Sequence, residues 1–284
     1  MLKLQAAAML LTVATPVSAA GQAPTQATHG LTKPPVVSAA DAPAGTEALA
    51  VNWIRVAVPD RGVMLAAVAR PSGPGPFPVV VLLHGAHGFA RPYVQWAQDL
   101  ARGGFLTVAG CWFSGGYNNG SNALTPLIPC PEMPPPKAAG AYPEAVQYID
   151  ALVQAARAQP GARPDRLALV GHSRGASEAL EYILAIGNVQ AAVLHAAGQQ
   201  YRPATRAAEF TVPMLILHGT ADENSAYTSV ALARELEAAL RWNQKPVEAQ
   251  YYEGGGHNTF FTNPTQRDDE LKRMIEFLRH RLGK

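Results

Sequence analysis

The sequence contains few cysteines, few charged residues and no long apolar run. Only 2 of its 284 residues are cysteine, and Asp, Glu, Lys and Arg make up 15 % of the chain, against about 25 % in an average soluble domain. The formal net charge is +2 and no basic run is present, so the chain lacks the electrostatic footprint of a nucleic-acid-binding protein. No apolar stretch reaches the roughly 20 residues that a membrane-spanning helix needs. We therefore expect neither a nucleic-acid partner nor an integral membrane segment.

Residues 1–19 have the pattern of a cleavable export signal. Lys3 gives a basic start, residues 6–14 are apolar, and the small residues that follow allow cleavage after Ala19 or Ala20. This pattern is typical of a secretory signal peptide, and a buried N-terminal helix is the alternative. We therefore predict an exported protein that is periplasmic or secreted.

Residues 20–50 and 51–284 differ in composition. The first segment is rich in Ala, Pro, Thr, Gln and Gly and has no apolar periodicity. Such a segment cannot bury enough apolar surface to offset the entropy lost when the chain becomes ordered. We predict a flexible lead over residues 20–50 and one folded domain over residues 51–284.

The two cysteines, Cys111 and Cys130, are predicted to form a disulfide. In an oxidising compartment two lone cysteines of one domain are more often paired than free, and closing this loop adds about 3 kcal/mol to stability in the chain-entropy account. A pair of buried thiols is the alternative. No zinc-ligand spacing occurs, and His84 and His87 lack further ligands nearby, so we predict no metal and no cofactor.

Strands and helices alternate along residues 51–284. Apolar, β-branched runs are followed by amphipathic stretches, which is the pattern expected when helices connect parallel strands. The first two strands, 51–58 and 63–69, flank the turn 59–62 and are predicted to pair antiparallel. The sequence thus predicts an α/β fold with a mostly parallel, eight-stranded twisted sheet and helices on both faces. The short connection from 195 to 213 leaves no room for a large cap domain.

The motif at residues 171–175 predicts a nucleophilic serine. Gly171 and Gly175 flank Ser173 in a G-x-S-x-G pattern that follows an apolar strand and opens an amphipathic helix. The chemistry needs a strained turn that exposes the serine hydroxyl where strand and helix pass too closely for flanking side chains. An ordinary glycine-rich turn is the alternative.

A serine hydroxyl needs an imidazole to accept its proton, and His257 is the predicted base. It follows a glycine-rich segment at the end of the last strand, where its ring can reach Ser173. His84 and His218 each precede a glycine and are interpreted as residues that order their own loops. His172 is interpreted as a packing residue near the nucleophile, and the same reading applies to His195.

Asp222 is the predicted acid of the site. It lies four residues after His218, on the loop that follows the seventh predicted strand. A carboxylate there would hold the imidazole in the correct tautomer and stabilise the imidazolium. The chain order Ser173, Asp222, His257 is the order found with this motif, and Glu223 is the neighbouring alternative.

Two backbone N–H groups are predicted to stabilise the oxyanion. The N–H of Arg174 lies at a helix N-terminus, where the helix dipole also favours an anion. The second donor is predicted to be the N–H of Ala86, in the segment 84–88 after the third strand. A plain glycine turn is the alternative for this segment.

With these motifs in this order, residues 51–284 resemble the α/β-hydrolase superfamily, and most closely its dienelactone hydrolase-like and exported serine esterase branch. The resemblance implies a covalent acyl-enzyme on Ser173 that is hydrolysed by water activated by His257. Two positions depart from the dienelactone hydrolase pattern. The nucleophile there is usually Cys where this chain has Ser173, and a second Gly usually stands where this chain has Ala176.

These features together predict an exported serine hydrolase that cleaves small-molecule carboxylic esters. Without a cap domain, the loop that follows the predicted strand at 105–111 must supply pocket walls, and Trp112, Phe113 and Tyr117 are the predicted substrate-binding residues. Three alternatives stay open. They are a polyester depolymerase or cutinase-like enzyme, a peptidase of the prolyl oligopeptidase type, and an inactive binding module with the same fold.

Overall fold

The computed structural model describes residues 30–114, 124–130, 132–133, 144–223 and 227–283. The predicted signal segment and Tyr117 lie outside these residues. The strands are β1 (Val36–Ala40), β2 (Asn52–Val58), β3 (Gly62–Ala69), β4 (Phe77–Leu83), β5 (Leu106–Gly110), β6 (Ala162–His172), β7 (Ala191–His195), β8 (Met214–Gly219) and β9 (Val247–Tyr252). The helices of the described residues are α1 (Arg91–Arg102), α2 (Ala145–Arg157), α3 (Arg174–Ala185), α4 (Val230–Trp242), α5 (Thr259–Thr262) and α6 (Pro264–Leu282).

The strands form one sheet in the order β1-β2-β3-β5-β4-β6-β7-β8-β9. β1, β2 and β3 pair antiparallel, and β3 is antiparallel to β5. All other neighbouring strands are parallel. The predicted α/β fold and the predicted antiparallel hairpin are therefore confirmed. Between β7 and β8 the chain forms only a short 3-10 helix, Pro203–Glu209, and no cap domain.

The sheet has nine strands among the described residues, not the eight predicted. The additional strand is β1, in which Val36 lies opposite Ala57 and Ala40 opposite Trp53 of β2. The prediction of a flexible lead over residues 20–50 is therefore wrong for this segment. Composition tests whether a segment can build a core, but an edge strand needs only backbone hydrogen bonds to an existing sheet. The side chains of β1 accordingly stay largely exposed.

The central strands are buried on both faces. β4, β5 and β7 are almost entirely inaccessible to solvent, as expected for parallel strands between two layers of helices. α1 buries Tyr93, Trp96 and Leu100 on one side, which is the spacing of a helix with a single apolar face. α1 contacts α6, and α2 contacts α3. In the part of the chain that the structure describes, no helix is long and apolar enough to cross a membrane.

The four tryptophans of the chain differ in exposure. Trp53, Trp96 and Trp112 are buried, whereas Trp242, at the end of α4, is 88 % exposed. The ring of Trp96 packs against that of Phe260, with 4.5 Å between their centroids. α1 is thereby fixed against the segment that follows β9.

The parallel register aligns the carboxyl ends of the strands. The last residue of β6, His172, lies opposite His195 at the end of β7, and the last residue of β8 lies opposite Tyr252 at the end of β9. The loops that follow β4, β6, β8 and β9 therefore meet at one edge of the sheet, which is where open α/β sheets bind ligands.

Candidate active site

Ser173 lies in a strained turn between β6 and α3. Its backbone angles are φ 53° and ψ −117°, a region that residues other than glycine rarely adopt. A Cβ atom added to Gly171 would lie 2.5 Å from the Ala176 Cα, and one added to Gly175 would lie 2.3 Å from the carbonyl oxygen of Leu83. The predicted strained turn, and the need for both glycines, are confirmed.

Asp222 and His257 are in direct contact, as the sequence predicts. The Nδ1 atom of His257 lies 2.7 Å from Oδ2 of Asp222, and Asp222 is fully buried. A carboxylate only accepts hydrogen bonds, so the neutral imidazole carries its proton on Nδ1 and leaves Nε2 free to accept one. This is the tautomer that a general base in a serine hydrolase requires. The Thr228 hydroxyl donates to the other carboxylate oxygen, at 2.9 Å.

The surroundings of Asp222 keep it ionised. Burial alone would raise the pKa of Asp222, but hydrogen bonds from His218 and His257, together with the charges of both rings, outweigh burial and lower the pKa to about 2. The carboxylate is therefore charged throughout the neutral range and can stabilise an imidazolium at His257.

Sequence reasoning missed the contact of His218 with this acid. Nε2 of His218 lies 3.2 Å from Oδ2 of Asp222 and 2.8 Å from the carbonyl oxygen of Thr228. The sequence interpretation gave His218 only a part in ordering its own loop. The four-residue spacing of His218 and Asp222 across a turn is the signal that could have revealed the pair.

Ser173 and His257 are brought to the same edge without a hydrogen bond between them. Among the described residues, no hydrogen bond joins the Ser173 hydroxyl to the His257 imidazole. The rings of His257 and His172 have centroids 5.1 Å apart, so the predicted base lies against the residue that precedes Ser173. Catalytic hydrogen bonds are often long in a free enzyme and shorten when substrate binds.

The turn at residues 85–88 contains the predicted oxyanion donor Ala86, and we name it the oxyanion turn. It lies against Ser173. The Gly88 N–H donates to the carbonyl of Gly85 at 3.1 Å, and this bond closes the turn around Ala86. A Cβ atom added to Gly85 would lie 3.2 Å from the Ser173 Cβ. Arg174 directly follows Ser173 in the chain, and Ala86 directly follows Gly85, the residue that approaches the Ser173 side chain.

The predicted pocket residues Trp112 and Phe113 are fully buried. The indole N–H of Trp112 donates to the carbonyl of His84 at 3.3 Å, and the Phe113 ring lies 4.5 Å from the His84 ring. Their predicted role in lining a substrate pocket stays a prediction, because both side chains are closed off from solvent in this structure. Aromatic residues in a loop are as consistent with packing as with pocket lining, and here both rings pack against His84. Tyr117, the third residue of this prediction, is outside the described part of the chain.

A disulfide joins Cys111 and Cys130, as the sequence predicts, with 6.4 Å between their Cα atoms. Cys111 directly follows β5, and Cys130 ends the described segment 124–130. That segment packs on the residues after the oxyanion turn, because the Ile128 N–H donates to the carbonyl of Phe89 at 2.8 Å. The disulfide therefore links the segment 124–130 covalently to the end of β5.

Several buried titratable groups surround the site. Burial lowers the pKa of His84 to about 3 and of His87 to about 4, and it lowers that of His172 well below the ordinary value. Burial raises the pKa of Glu178 to about 8, and the Tyr201 hydroxyl donates to this acid at 2.6 Å. At neutral pH all four groups are therefore uncharged or largely so. The described residues contain no group of three or more His, Cys, Asp or Glu side chains that could hold a metal ion.

The chain matches one family model over most of its length. Residues 64–282 match the model of the dienelactone hydrolase family. No curated protein sequence matches the chain.

Solved structures share the fold. A Klebsiella pneumoniae protein provisionally assigned as a dienelactone hydrolase is 19 % identical, with a TM-score of 0.61 over 86 % of this chain and 98 % of that one. The Pyrococcus furiosus esterase Pf2001 is 13 % identical, with a TM-score of 0.62 over 88 % of this chain and 100 % of that one. The Pyrococcus horikoshii acylaminoacyl peptidase is 16 % identical, with a TM-score of 0.64 over 82 % of this chain but only 42 % of its own. At such identities the likeness shows the fold alone.

Proposed function

Because the chain belongs to the dienelactone hydrolase family of α/β-hydrolases, we propose that it is a serine hydrolase that cleaves carboxylic esters through Ser173, His257 and Asp222. One observation carries the proposal. A buried carboxylate holds the imidazole of His257 by Nδ1, at the same sheet edge where Ser173 adopts a strained backbone conformation. Strain of this kind costs about 1–3 kcal/mol and persists where function requires it.

The first half of the proposed reaction forms an acyl-enzyme. The Ser173 oxygen attacks the ester carbonyl carbon while its proton passes to Nε2 of His257. The backbone N–H groups of Ala86 and Arg174 stabilise the negative oxygen of the tetrahedral intermediate, and each such donor contributes about 3 kcal/mol. The C–O bond of the ester then breaks, and the leaving alcohol takes the proton from His257.

The second half releases the acid. Water attacks the acyl carbon and gives a proton to Nε2 of His257, which returns it to the Ser173 oxygen as the acyl bond breaks. Asp222 stabilises the imidazolium in both halves without taking up a proton itself. The buried, ionised state of this carboxylate suits that role.

We also infer that the mature protein is exported. Residues 1–19 carry the signal pattern, and a disulfide such as Cys111–Cys130 persists in oxidising compartments rather than in the cytosol. N-terminal sequencing of the protein recovered outside the cytoplasm should begin at residue 20 or 21. An uncleaved N-terminus on the cytoplasmic protein would contradict this inference.

The test of the proposed reaction is Ser173→Ala with p-nitrophenyl butyrate as substrate. We expect kcat to fall at least about a thousandfold, because the nucleophile is lost while the fold is kept. The matched control is Ser229→Ala, which removes a hydroxyl that makes no capping hydrogen bond at the start of α4 and should leave kcat unchanged. Circular dichroism of both variants should match the wild type.

Three further outcomes test the proposal against its alternatives. A fluorophosphonate should label the wild type at Ser173, and mass spectrometry of its peptides locates the label. Turnover of p-nitroanilides in preference to esters would replace the esterase with a peptidase. A wild type that neither turns over esters nor takes up the label would contradict the proposal.

A further inference from the structure

A chain of hydrogen bonds, two of them buried and one partly buried, runs from the oxyanion turn to the loop that carries the predicted base. The Gly85 N–H donates to the Tyr93 hydroxyl at 2.9 Å, and that hydroxyl lies 2.7 Å from Nδ1 of His172. On the other side of the ring, Nε2 of His172 lies 3.4 Å from the backbone carbonyl oxygen of His257. Tyr93 and His172 are both fully buried.

The donor and the acceptor of each hydrogen bond follow from the last partner in the chain, the backbone carbonyl of His257. The carbonyl of His257 can only accept, so Nε2 of His172 carries the proton. The Nδ1 atom of this neutral ring is then unprotonated and accepts a hydrogen bond from the Tyr93 hydroxyl. The Tyr93 oxygen in turn accepts from the Gly85 N–H, so each polar group has a partner of the opposite kind. Burial supports this state because it lowers the pKa of His172 and raises that of Tyr93.

The chain connects three loops that otherwise follow different strands. Gly85 precedes Ala86 in the oxyanion turn, His172 precedes the nucleophile, and His257 is the predicted base. The backbone at residue 85 is packed closely against both side chains, since an added Cβ would lie 3.0 Å from Nδ1 of His172 and 3.2 Å from the Tyr93 oxygen.

We propose that Tyr93 and His172 are positioning residues that hold the oxyanion turn and the His257 loop in fixed relation to Ser173. The proposal rests on the proposed ester hydrolysis and adds no new chemical step. Displacing a catalytic group by about 1 Å costs roughly a hundredfold in rate, so loss of this chain should affect the transition state more than substrate binding.

Tyr93→Phe is the first test, because it removes one hydroxyl and keeps the ring that stacks on His87. We expect kcat for p-nitrophenyl butyrate to fall about ten- to a hundredfold with KM within about twofold of the wild type, as for an interaction that acts in the transition state. The matched control is Tyr182→Phe. Tyr182 is equally buried, and its hydroxyl lies 2.8 Å from Oδ1 of Asn188 and 3.1 Å from Oδ1 of Asp150, both acceptors. Tyr182 stands near the end of α3 that is far from Ser173. This control should keep the wild-type kcat.

His172→Phe and the double variant test whether both residues act through the same chain. His172→Phe should lower kcat by an amount similar to Tyr93→Phe. The double variant should be no slower than the slower single variant, because groups in one hydrogen-bond network are not additive. Fully additive losses would overturn the proposal.

A spectroscopic measurement on the wild type is independent of whether any variant folds. Nitrogen-15 NMR of the histidine rings at pH 7 should show His172 as the neutral Nε2–H tautomer, with Nδ1 as a hydrogen-bond acceptor. An Nδ1–H tautomer would overturn the proposal, because Tyr93 could then not donate to His172.

The kinetic outcomes distinguish this proposal from the one it rests on. A wild type without ester turnover or fluorophosphonate labelling would overturn the proposed function and this proposal with it. An active wild type whose Tyr93→Phe variant behaves like Tyr182→Phe would overturn the positioning role alone.

Discussion

At the scale of single residues, the charge of Asp222 gives a stability prediction. Its pKa of about 2 lies below the ordinary value of 3.8, so ionised Asp222 stabilises the fold above pH 3.8, and this contribution is lost as the pH falls toward 2. We expect the stability advantage of the wild type over Asp222→Asn to shrink by about 1 kcal/mol between pH 5 and pH 3. Urea unfolding at the two pH values measures it, and an advantage that stays constant would contradict the assignment.

The residues of the site differ in how much of their role the sequence reveals. Ser173 has a local motif, and Asp222 and His257 follow strand ends in a recognisable order, so a short stretch of sequence suffices for each. The contact between Tyr93 and His172 joins residues 79 positions apart, and no local pattern marks it. Such a contact arises only when α1 packs beside the end of β6. The burial of Phe113 escaped prediction for the same reason, since it depends on what covers the loop.

At the scale of elements, the Cys111–Cys130 disulfide closes the connection after β5. We expect the double variant Cys111→Ala, Cys130→Ala to lose about 3 kcal/mol of unfolding free energy, because the unfolded chain regains the entropy of an open loop. Urea unfolding of both proteins measures the loss. A reductant should destabilise the wild type to the level of the variant and leave the variant unchanged. Equal stability of the two proteins would refute the expectation.

The strands of the sheet show which elements are readable from sequence. β4 and β5 consist of apolar residues between turn signals, and the alternation with helices sets their parallel arrangement. β1 has no such signal, because its sequence VVSAA lies in a segment rich in Ala and Pro and its side chains contribute little burial. Its existence depends on the free edge of β2, which is a property of the assembled sheet.

At the scale of the whole molecule, the buried neutral histidines make stability depend on pH. Between pH 6 and pH 5, His84, His87 and His172 stay neutral in the folded protein, whereas in the unfolded chain most of these side chains already carry a proton. Each difference lowers stability by about 1.4 kcal/mol per pH unit as the pH falls. Glu178, with its pKa raised to about 8, acts in the opposite direction and cancels one of the three.

Together these four groups are expected to lower the unfolding free energy by about 2–3 kcal/mol from pH 6 to pH 5. Urea unfolding at both pH values tests it, with His87→Gln as the comparison, because that variant should lose about half of the dependence. A midpoint that is unchanged or higher at pH 5 would contradict the neutral state of these rings.

The arrangement of the indoles gives the protein an intrinsic optical reporter. With Trp242 changed to Phe, the remaining ultraviolet emission comes from indoles that are shielded from aqueous quenchers. The Trp96 ring packs against Phe260, which lies three positions after His257. The fluorescence intensity of Trp96 should therefore change when the surroundings of His257 change. Stopped-flow fluorimetry would thereby follow binding of the proposed ester substrate and release of its products in real time, with no dye attached.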